Sequence, residues 1–209
     1  MRVYKRFDER FNEILDVSGN LFTTKGYEKT TVNDILDGVG IGKGTFYHYF
    51  KSKEDVMDAV ITRIANNTKA AAQEIADMSE LSAIEKFSIV FTDRPGKNDD
   101  IVEQLHHDDN SAMHTKSLTE TIIALTPALT QIIEQGIDEG VFNTPYPKEG
   151  FEILFTASQF LFDPGIFKWT PDELLKKVKA YTHILEIVLD TKKGCFDFLL
   201  TLYETMIYK

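Results

Sequence analysis

Residues 31–55, TVNDILDGVGIGKGTFYHYFKSKED, constrain the fold more than any other stretch of this sequence. Thr31 and Asp34 have the spacing of a capping box at the start of a helix, and two glycines can end that helix soon afterwards. A second helix can begin after Gly42, which is a permissive but poor N-cap. Two short helices joined by a glycine-containing turn predict a helix-turn-helix motif.

The second helix of this motif has an apolar side and a polar side when its residues are placed at intervals of about 100°. Phe46 and Phe50 lie one turn apart and are predicted to face the protein interior. Gly44 and His48 then point in nearly the opposite direction. The exposed side would carry basic, hydroxyl and aromatic groups, as expected for a helix that contacts DNA.

These residues also carry a family resemblance. Residues 5–60 resemble the N-terminal domain of TetR-family transcriptional repressors, with one departure. The family usually begins its recognition helix with Ser, where this chain has Gly42, so a hydroxyl that could cap the helix or contact a phosphate is missing. The matching positions are Phe22, Gly26, Tyr27, Thr30, Thr31, Val32, Ile35, Gly40, Ile41, Lys43, Gly44, Thr45, Phe46, Tyr47, Phe50, Lys53 and Glu54.

The composition is that of a folded protein, with 43% hydrophobic and 11% aromatic residues. The single cysteine, Cys195, cannot form an internal disulfide. The N-terminus does not resemble a signal peptide, and no run approaches the roughly 18 apolar residues of a membrane helix. We therefore expect a soluble, cytoplasmic protein without a membrane partner.

Charge is distributed unevenly along the chain, whose net charge is −10. Residues 1–53 hold 9 Lys and Arg against 7 Asp and Glu, a net +2, and residues 54–209 hold 14 against 26, a net −12. The cations therefore gather beside the predicted helix-turn-helix. Because an acidic region repels a phosphate backbone, we expect the remainder of the chain to point away from DNA.

Helical periodicity continues to the C-terminus without an alternating strand pattern, so the sequence predicts an all-α fold. Pro127 should kink its helix or open the hydrogen-bond ladder there. Beyond the helix-turn-helix, helices are predicted over 5–24, 53–78, 82–92, 99–108, 115–140, 149–163, 171–191 and 195–208.

Two domains are predicted from this pattern. Residues 1–51 would form a three-helix DNA-binding domain, with Phe7, Phe11 and Phe22 of its first helix packed in the core. Residues 52–209 would form a larger helical domain for effector binding and dimerisation.

Base contacts are predicted at the start of the second helix of the motif, because such helices enter the major groove by their N-terminal turn. Lys43 can donate to guanine O6 and N7, and Thr45 offers a hydroxyl or a methyl group. Gly44 has no side chain, so the backbone there could approach DNA closely.

Phosphate contacts are predicted around these residues. Tyr47 and His48 would contact the DNA backbone, and Thr31 and Lys53 would do so from the starts of the flanking helices. A solvated surface histidine is the alternative for His48, and packing against the first helix is the alternative for Tyr47.

A homodimer is predicted because one recognition helix contacts only about half of a DNA site. Helices 149–163 and 171–191 carry more apolar positions than one buried face needs, so two from each subunit could form a four-helix bundle. The alternative is that both helices are internal. The family resemblance implies the dimer, and it implies a repressor bound to a palindromic operator.

A small-molecule effector, apolar or aromatic, is predicted to bind in the larger domain. The resemblance implies that the effector would tilt or lock the long helix and so release the DNA. Ordinary core packing is the alternative for each candidate residue. The candidates are Asn67, Phe87, Phe91, Leu105, His107, Met113, His114, Leu118, Ile122, Phe155 and Gln159.

One cluster has the residue types of a metal site: His106, His107, Asp108 and Asp109, with His114 nearby. Neighbouring residues on a helix point about 100° apart, so His106 and His107 cannot readily face one ion. We therefore predict no metal, no cofactor and no enzyme activity. Two alternatives remain: a DNA-binding regulator controlled by a protein partner, and a metal-dependent enzyme that uses these histidines.

Overall fold

A computed structural model describes residues 7–92 and 111–208. This part of the chain forms nine α-helices and no strand, which confirms the predicted all-α class. The helix predicted over 99–108 lies outside the described residues. None of the described helices has both the length and the apolar character needed to cross a membrane. The helices are α1 Phe7–Thr24, α2 Val32–Val39, α3 Lys43–Tyr49, α4 Lys53–Ala76, α5 Ala83–Thr92, α6 Ser111–Asp138, α7 Pro147–Leu161, α8 Pro171–Val188 and α9 Asp197–Ile207.

The described residues divide into two compact units. The first contains 7–65 and 111–117, and the second contains 66–92 and 118–208. Helices α4 and α6 each contribute residues to both units. The domain boundary after residue 51 stays a prediction.

The first unit has an apolar core to which α1, α2, α3 and α4 all contribute. Phe22, Phe46 and Phe50 are buried in it as predicted, and Phe11 packs against it. Burial of each large apolar side chain contributes about 1.5–3 kcal/mol to folding. The buried core residues are Ile14, Leu15, Phe22, Tyr27, Ile35, Leu36, Phe46, Phe50, Val56, Met57, Val60 and Ile61.

The prediction that Phe7 lies in the core is wrong, because its side chain is 56% exposed. Its ring contacts Tyr49, at 4.6 Å between centroids, and Phe11, at 6.4 Å. Phe7 is therefore packed on one side only, at the beginning of α1. Helical periodicity gave the side of α1 on which it lies but not the extent to which that side is covered.

The second unit is built around phenylalanine rings. The Phe87 ring lies 5.5 Å from the rings of both Phe151 and Phe196, in edge-on geometry. Phe155 stacks on Phe151 at 5.5 Å, and Phe142 stacks on Phe196 at 6.0 Å. All five side chains are at most 2% exposed, so these rings join α5 and α7 with the loop after α6 and with the N-cap residue of α9.

A buried lysine holds the end of α4. Lys86 is 2% exposed, and its Nζ donates to the carbonyl of Ala76 at 2.7 Å and to Gln135 Oε1 at 2.5 Å. A cation favours the C-terminal end of a helix, where carbonyl groups lack intrahelical partners. Gln135 Nε2 in turn donates to the Leu81 carbonyl at 2.9 Å. Side chains from α5 and α6 therefore fix the last turn of α4.

Helices α2 and α8 begin with complete capping boxes, Thr31 with Asp34 and Thr170 with Glu173. The box at Thr31 confirms the sequence prediction. The Lys25 ammonium, 2.6 Å from Asp34 Oδ2, together with the backbone N–H and hydroxyl of Thr31, holds the pKa of Asp34 well below its usual range. These contacts fix the start of α2 and link it to the end of α1.

Helix α6 continues through Pro127, and the predicted kink or opened hydrogen-bond ladder at this residue stays a prediction. The Thr126 hydroxyl donates to the Ile122 carbonyl at 2.7 Å on the same segment. Pro127 has no N–H group to donate, and it lies on the exposed side of α6.

Gly136 on α6 leaves no space for a side chain. A Cβ there would lie 2.2 Å from Phe142 Cδ2, and the Phe142 ring is buried beside Phe87. We expect Gly136→Ala to lower the free energy of unfolding by about 1–3 kcal/mol, as overpacking does, despite the better helix propensity of alanine. Urea denaturation measures this change. Gly44→Ala is the control, since its Cβ would meet nothing within 4 Å. An unchanged midpoint for Gly136→Ala would contradict the packing.

Asp34 should make stability depend on pH. Its pKa is lower in the folded chain than in the unfolded one, so the carboxylate stabilises the fold above about pH 4, and this contribution is lost as the pH falls below that value. Asp34→Asn should therefore be less stable than the wild type at pH 7, with a difference that shrinks between about pH 4 and 2. Urea denaturation at several pH values tests this. The exposed Asp37 on the same helix supplies the control Asp37→Asn. A pH-independent difference for Asp34→Asn would contradict the assignment.

Candidate nucleic-acid interface

A left-handed glycine makes the turn between α2 and α3. Gly40 has φ 72°, and the N–H groups of Gly40 and Ile41 both donate to the Leu36 carbonyl, at 2.9 and 3.0 Å. This arrangement ends α2 and allows α3 to begin three residues later. Gly42 is the N-cap of α3 and makes no side-chain capping bond, as predicted.

The rotation of α3 about its axis is set by buried phenylalanines. Phe46 is fully buried and Phe50 is 5% exposed, with 6.0 Å between their ring centroids. Lys43, Gly44 and Thr45 are exposed. The predicted orientation of this helix is confirmed, and its N-terminal turn faces solvent.

The backbone at Gly44 is open on the side where a side chain would project. A Cβ built there has no heavy atom within 4 Å. Lys43 forms no ion pair with any described residue, so its ammonium group is available to an external partner. A flat or grooved ligand could therefore approach the main chain directly beside the Lys43 cation.

Tyr47 and His48 occupy the following turn of α3. Tyr47 is 55% exposed, and its ring lies edge-on to the buried Phe46 at 5.4 Å. His48 is exposed, with its ring edge-on to Phe7 at 5.9 Å and to Tyr49 at 5.3 Å. The contact of His48 with Phe7 was not predicted, because it joins two helices that are distant in the sequence.

The two remaining predicted DNA contacts already have partners within the protein. The Thr31 hydroxyl donates to Asp34 Oδ2 at 2.7 Å and accepts from the Asp34 N–H at 3.2 Å. Lys53 Nζ donates to the Tyr27 carbonyl at 2.8 Å and lies 4.0 Å from the centroid of the Tyr27 ring. An ammonium group has three donors, so Lys53 can bind a further acceptor. The only signal of this contact in the sequence is a lysine at the start of a helix, where acids are favoured.

Other cations of the first unit lie on the surface. Lys29 and Lys51 are exposed, and the Lys51 N–H donates to Asp55 Oδ2 at 2.8 Å. Positive charge of this kind attracts polyanions at a distance without fixing their sequence. Arg2, Lys5 and Arg6 lie outside the described residues.

Four of the predicted effector contacts belong to the second unit's core. Phe87 and Phe155 are buried, and Phe91 and Ile122 pack against the same cluster. The Phe87 and Phe91 rings stack at 5.6 Å, and Phe91 is edge-on to Phe155 at 6.1 Å. The structure therefore brings these four residues together, and their role in effector binding stays a prediction.

The other predicted effector residues have mixed surroundings. Leu118 and His114 are buried, Gln159 is partly buried and Asn67 is exposed. No group of three or more His, Cys, Asp or Glu side chains in 7–92 and 111–208 could hold a metal ion. The remaining predicted positions lie outside the described residues: Leu105, His106, His107, Asp108, Asp109 and the side chain of Met113.

Comparison with known proteins agrees with the helix-turn-helix geometry. The family model described as bacterial regulatory proteins, tetR family, matches residues 14–60. The model described as tetracyclin repressor-like, C-terminal domain, matches residues 95–184. The transcriptional repressor KstR2 of Mycobacterium tuberculosis is 33% identical over 90 residues, which are 43% of this chain and 44% of the relative. The chain spans less than half the length of the curated relatives it matches.

Solved structures share the fold over most of the chain. A TetR-family regulator from Pectobacterium atrosepticum has a TM-score of 0.67 at 19% identity and covers 92% of this chain and 100% of its own. One from Syntrophomonas wolfei has a TM-score of 0.57 at 24% identity, with coverage of 98% and 97%. The two family models, which match residues 14–60 and 95–184, show that the chain belongs to the TetR family of transcriptional regulators, which are not enzymes.

Proposed function

We propose that this protein is a repressor that binds a palindromic DNA operator as a homodimer and is released by a small-molecule effector. The observation that carries the proposal is the exposed N-terminal turn of α3, held outward by the buried Phe46 ring. A helix of this kind contacts base edges in the major groove by its first residues.

The proposed base contacts are those of Lys43, Gly44 and Thr45. Lys43 forms no ion pair with a described residue, and its ammonium group can donate to guanine O6 and N7; Thr45 can contact a base through its hydroxyl or methyl group. Gly44 has open space beside its backbone, which would allow α3 to sit deeply in the groove.

The proposed phosphate contacts surround this turn. Tyr47 can donate its hydroxyl, and His48 is exposed on the same helix. Thr31 is the N-cap of α2, and Lys53 is the first residue of α4. Both therefore lie at helix N-termini, where backbone N–H groups favour anions. Such contacts fix the position of the protein on DNA rather than its choice of sequence.

Repression, rather than activation, is supported by the relatives. KstR2 of Mycobacterium tuberculosis is named a transcriptional repressor, and its match to this chain covers 90 residues. A protein that covers its operator can block transcription without any further activity, so a DNA-binding unit and a dimer are sufficient.

A homodimer through α7 and α8 is supported by exposed apolar side chains. Ile153 on α7 is 70% exposed, and Ile184 and Ile187 on α8 are 45% and 63% exposed. Ile184 and Ile187 lie three residues apart and so share one side of α8. Packing these helices against the same pair of a second copy would form a four-helix bundle and remove this surface from water.

A small-molecule effector is supported by the apolar, aromatic composition of the second unit. Phe87, Phe91, Ile122 and Phe155 supply the kind of surface that apolar ligands bind. An effector that weakens DNA binding a hundredfold needs a coupling free energy of only about 2.7 kcal/mol. If no small molecule changes DNA affinity, control by a protein partner becomes the better explanation.

The DNA contacts can be tested with a duplex selected by the wild-type protein from a random-sequence pool. Lys43→Ala and Thr45→Ala should each weaken binding by roughly 5- to 150-fold, since one good base contact contributes about 1–3 kcal/mol. Fluorescence anisotropy at fixed salt measures the affinity, and sedimentation checks that each variant stays dimeric. Lys193→Ala, at an exposed lysine of the second unit, should remain within about twofold of wild type.

Gly44→Ala completes the same experiment. Its added methyl group meets no protein atom, so folding should not suffer, but it should reduce affinity if the α3 backbone approaches DNA closely. Unchanged affinity in all three α3 variants would contradict the proposed interface. Unchanged affinity in Gly44→Ala alone would contradict only the close approach.

The dimer can be tested by placing a charge on its proposed surface. Ile187→Glu should raise the dimer dissociation constant by roughly 100-fold or more, because a carboxylate without a partner would be buried twice in a symmetric interface. Ile123→Glu is a matched control, since Ile123 on α6 is 61% exposed and Ile187 is 63% exposed. Sedimentation velocity measures both. Loss of the dimer in the control but not in Ile187→Glu would place the interface elsewhere.

A further inference from the structure

Lys53 has an unusual position for a lysine. It is the first residue of α4, and the positive end of the helix dipole disfavours a cation there. Its side chain does not extend freely into water. Instead its Nζ donates to the Tyr27 carbonyl at 2.8 Å and lies 4.0 Å from the Tyr27 ring centroid, across 26 residues of sequence.

Tyr27 is a rigid support for this ammonium group. The Tyr27 side chain is 6% exposed, and its ring packs edge-on against the buried Phe22 at 5.2 Å. The Tyr27 carbonyl also accepts the N–H of Thr30 at 3.1 Å, so it is fixed within the turn between α1 and α2. A carbonyl oxygen has two lone pairs and can hold both donors.

The Tyr27 ring also remains neutral. Burial raises the pKa of the Tyr27 hydroxyl, and the nearby carboxylates of Glu54 and Glu28 raise it further. The Lys53 ammonium group lies over the face of this neutral ring, which attracts cations, so the ring acts on Lys53 through its face.

Holding Lys53 in this way has a consequence for binding. A free lysine side chain has many rotamers and loses that freedom when it binds a phosphate. Lys53 has already lost much of it, while its ammonium group keeps unused donors. Preorganisation of this kind strengthens binding without adding a contact.

We propose that Tyr27 is a positioning residue for DNA binding, whose carbonyl and ring face hold the Lys53 ammonium group ready for a phosphate of the DNA backbone. This inference rests on the proposed function, and it adds a residue that would not touch DNA itself. Tyr27 should therefore affect DNA affinity only through Lys53.

A double-mutant cycle with the selected duplex tests this dependence. Lys53→Met should weaken binding roughly tenfold and reduce the slope of log affinity against log salt by about 1 per subunit, as loss of one phosphate contact does. Tyr27→Leu, which removes the ring but keeps the main-chain carbonyl, should weaken binding by no more than Lys53→Met does and leave the salt slope near that of wild type, because the Lys53 contact with the phosphate remains. Tyr27→Phe keeps the ring and should stay within about twofold of wild type. In the Lys53→Met background, Tyr27→Leu should have no further effect.

Additive effects of the two substitutions would overturn the proposal, because a purely structural role of Tyr27 would weaken binding whether or not Lys53 is present. If the wild-type protein binds no duplex, the proposed function fails together with the role of Tyr27. If the wild-type protein binds and the effects of Lys53→Met and Tyr27→Leu are additive, only the role of Tyr27 is contradicted.

A second measurement needs no substitution at the buried Tyr27. The Tyr27 ring should shift the NMR signals of the Lys53 ε-methylene protons upfield in the free protein, and the shift should persist in the DNA complex. Loss of the upfield shift on DNA binding would show that Lys53 leaves the ring, and it would overturn the proposal even if Tyr27→Leu cannot fold.

Discussion

Burial of the Phe46 ring fixes the rotation of α3, and the proposed DNA interface depends on that rotation. Successive residues of a helix are separated by about 100° around its axis. Once Phe46 points into the core, Gly44 lies nearly opposite it and Lys43 and Thr45 lie on the two flanks, and all three are exposed in the structure. The core that receives the ring is supplied by α1, α2 and α4. Affinity for DNA therefore depends on apolar packing that lies beneath the contacting surface.

Helix α4 is held at each end by a lysine bound to a main-chain carbonyl. Its first residue, Lys53, is held by Tyr27 in the first unit, and its last residue, Ala76, gives its carbonyl to Lys86 in the second. Both anchors use a lysine ammonium group bound to a main-chain oxygen. The Lys86 contact is buried beside a core of stacked phenylalanines, where an unpaired carbonyl would be costly.

The parts of this structure that follow from local rules could be predicted from the sequence. The capping box of Thr31 with Asp34 and the inward face of α3 depend on residues three or four positions apart, and both are confirmed. Phe7 could not be predicted correctly, because periodicity does not show whether another element covers a helix face. The contact of Lys53 with Tyr27 spans 26 residues and leaves almost no local signal. The effector site stays a prediction, since apolar spacing is the same for a core residue and a cavity wall.

The most direct test of the DNA interface is photochemical cross-linking of the selected duplex, with 5-iodouracil placed at each thymine in turn and the attached peptides identified by mass spectrometry. Aromatic side chains next to the modified base react most readily. The account predicts cross-links to Tyr47 or His48 on α3, from positions in both halves of the palindrome. Cross-links confined to α7, α8 or α9, with none on α3, would contradict it.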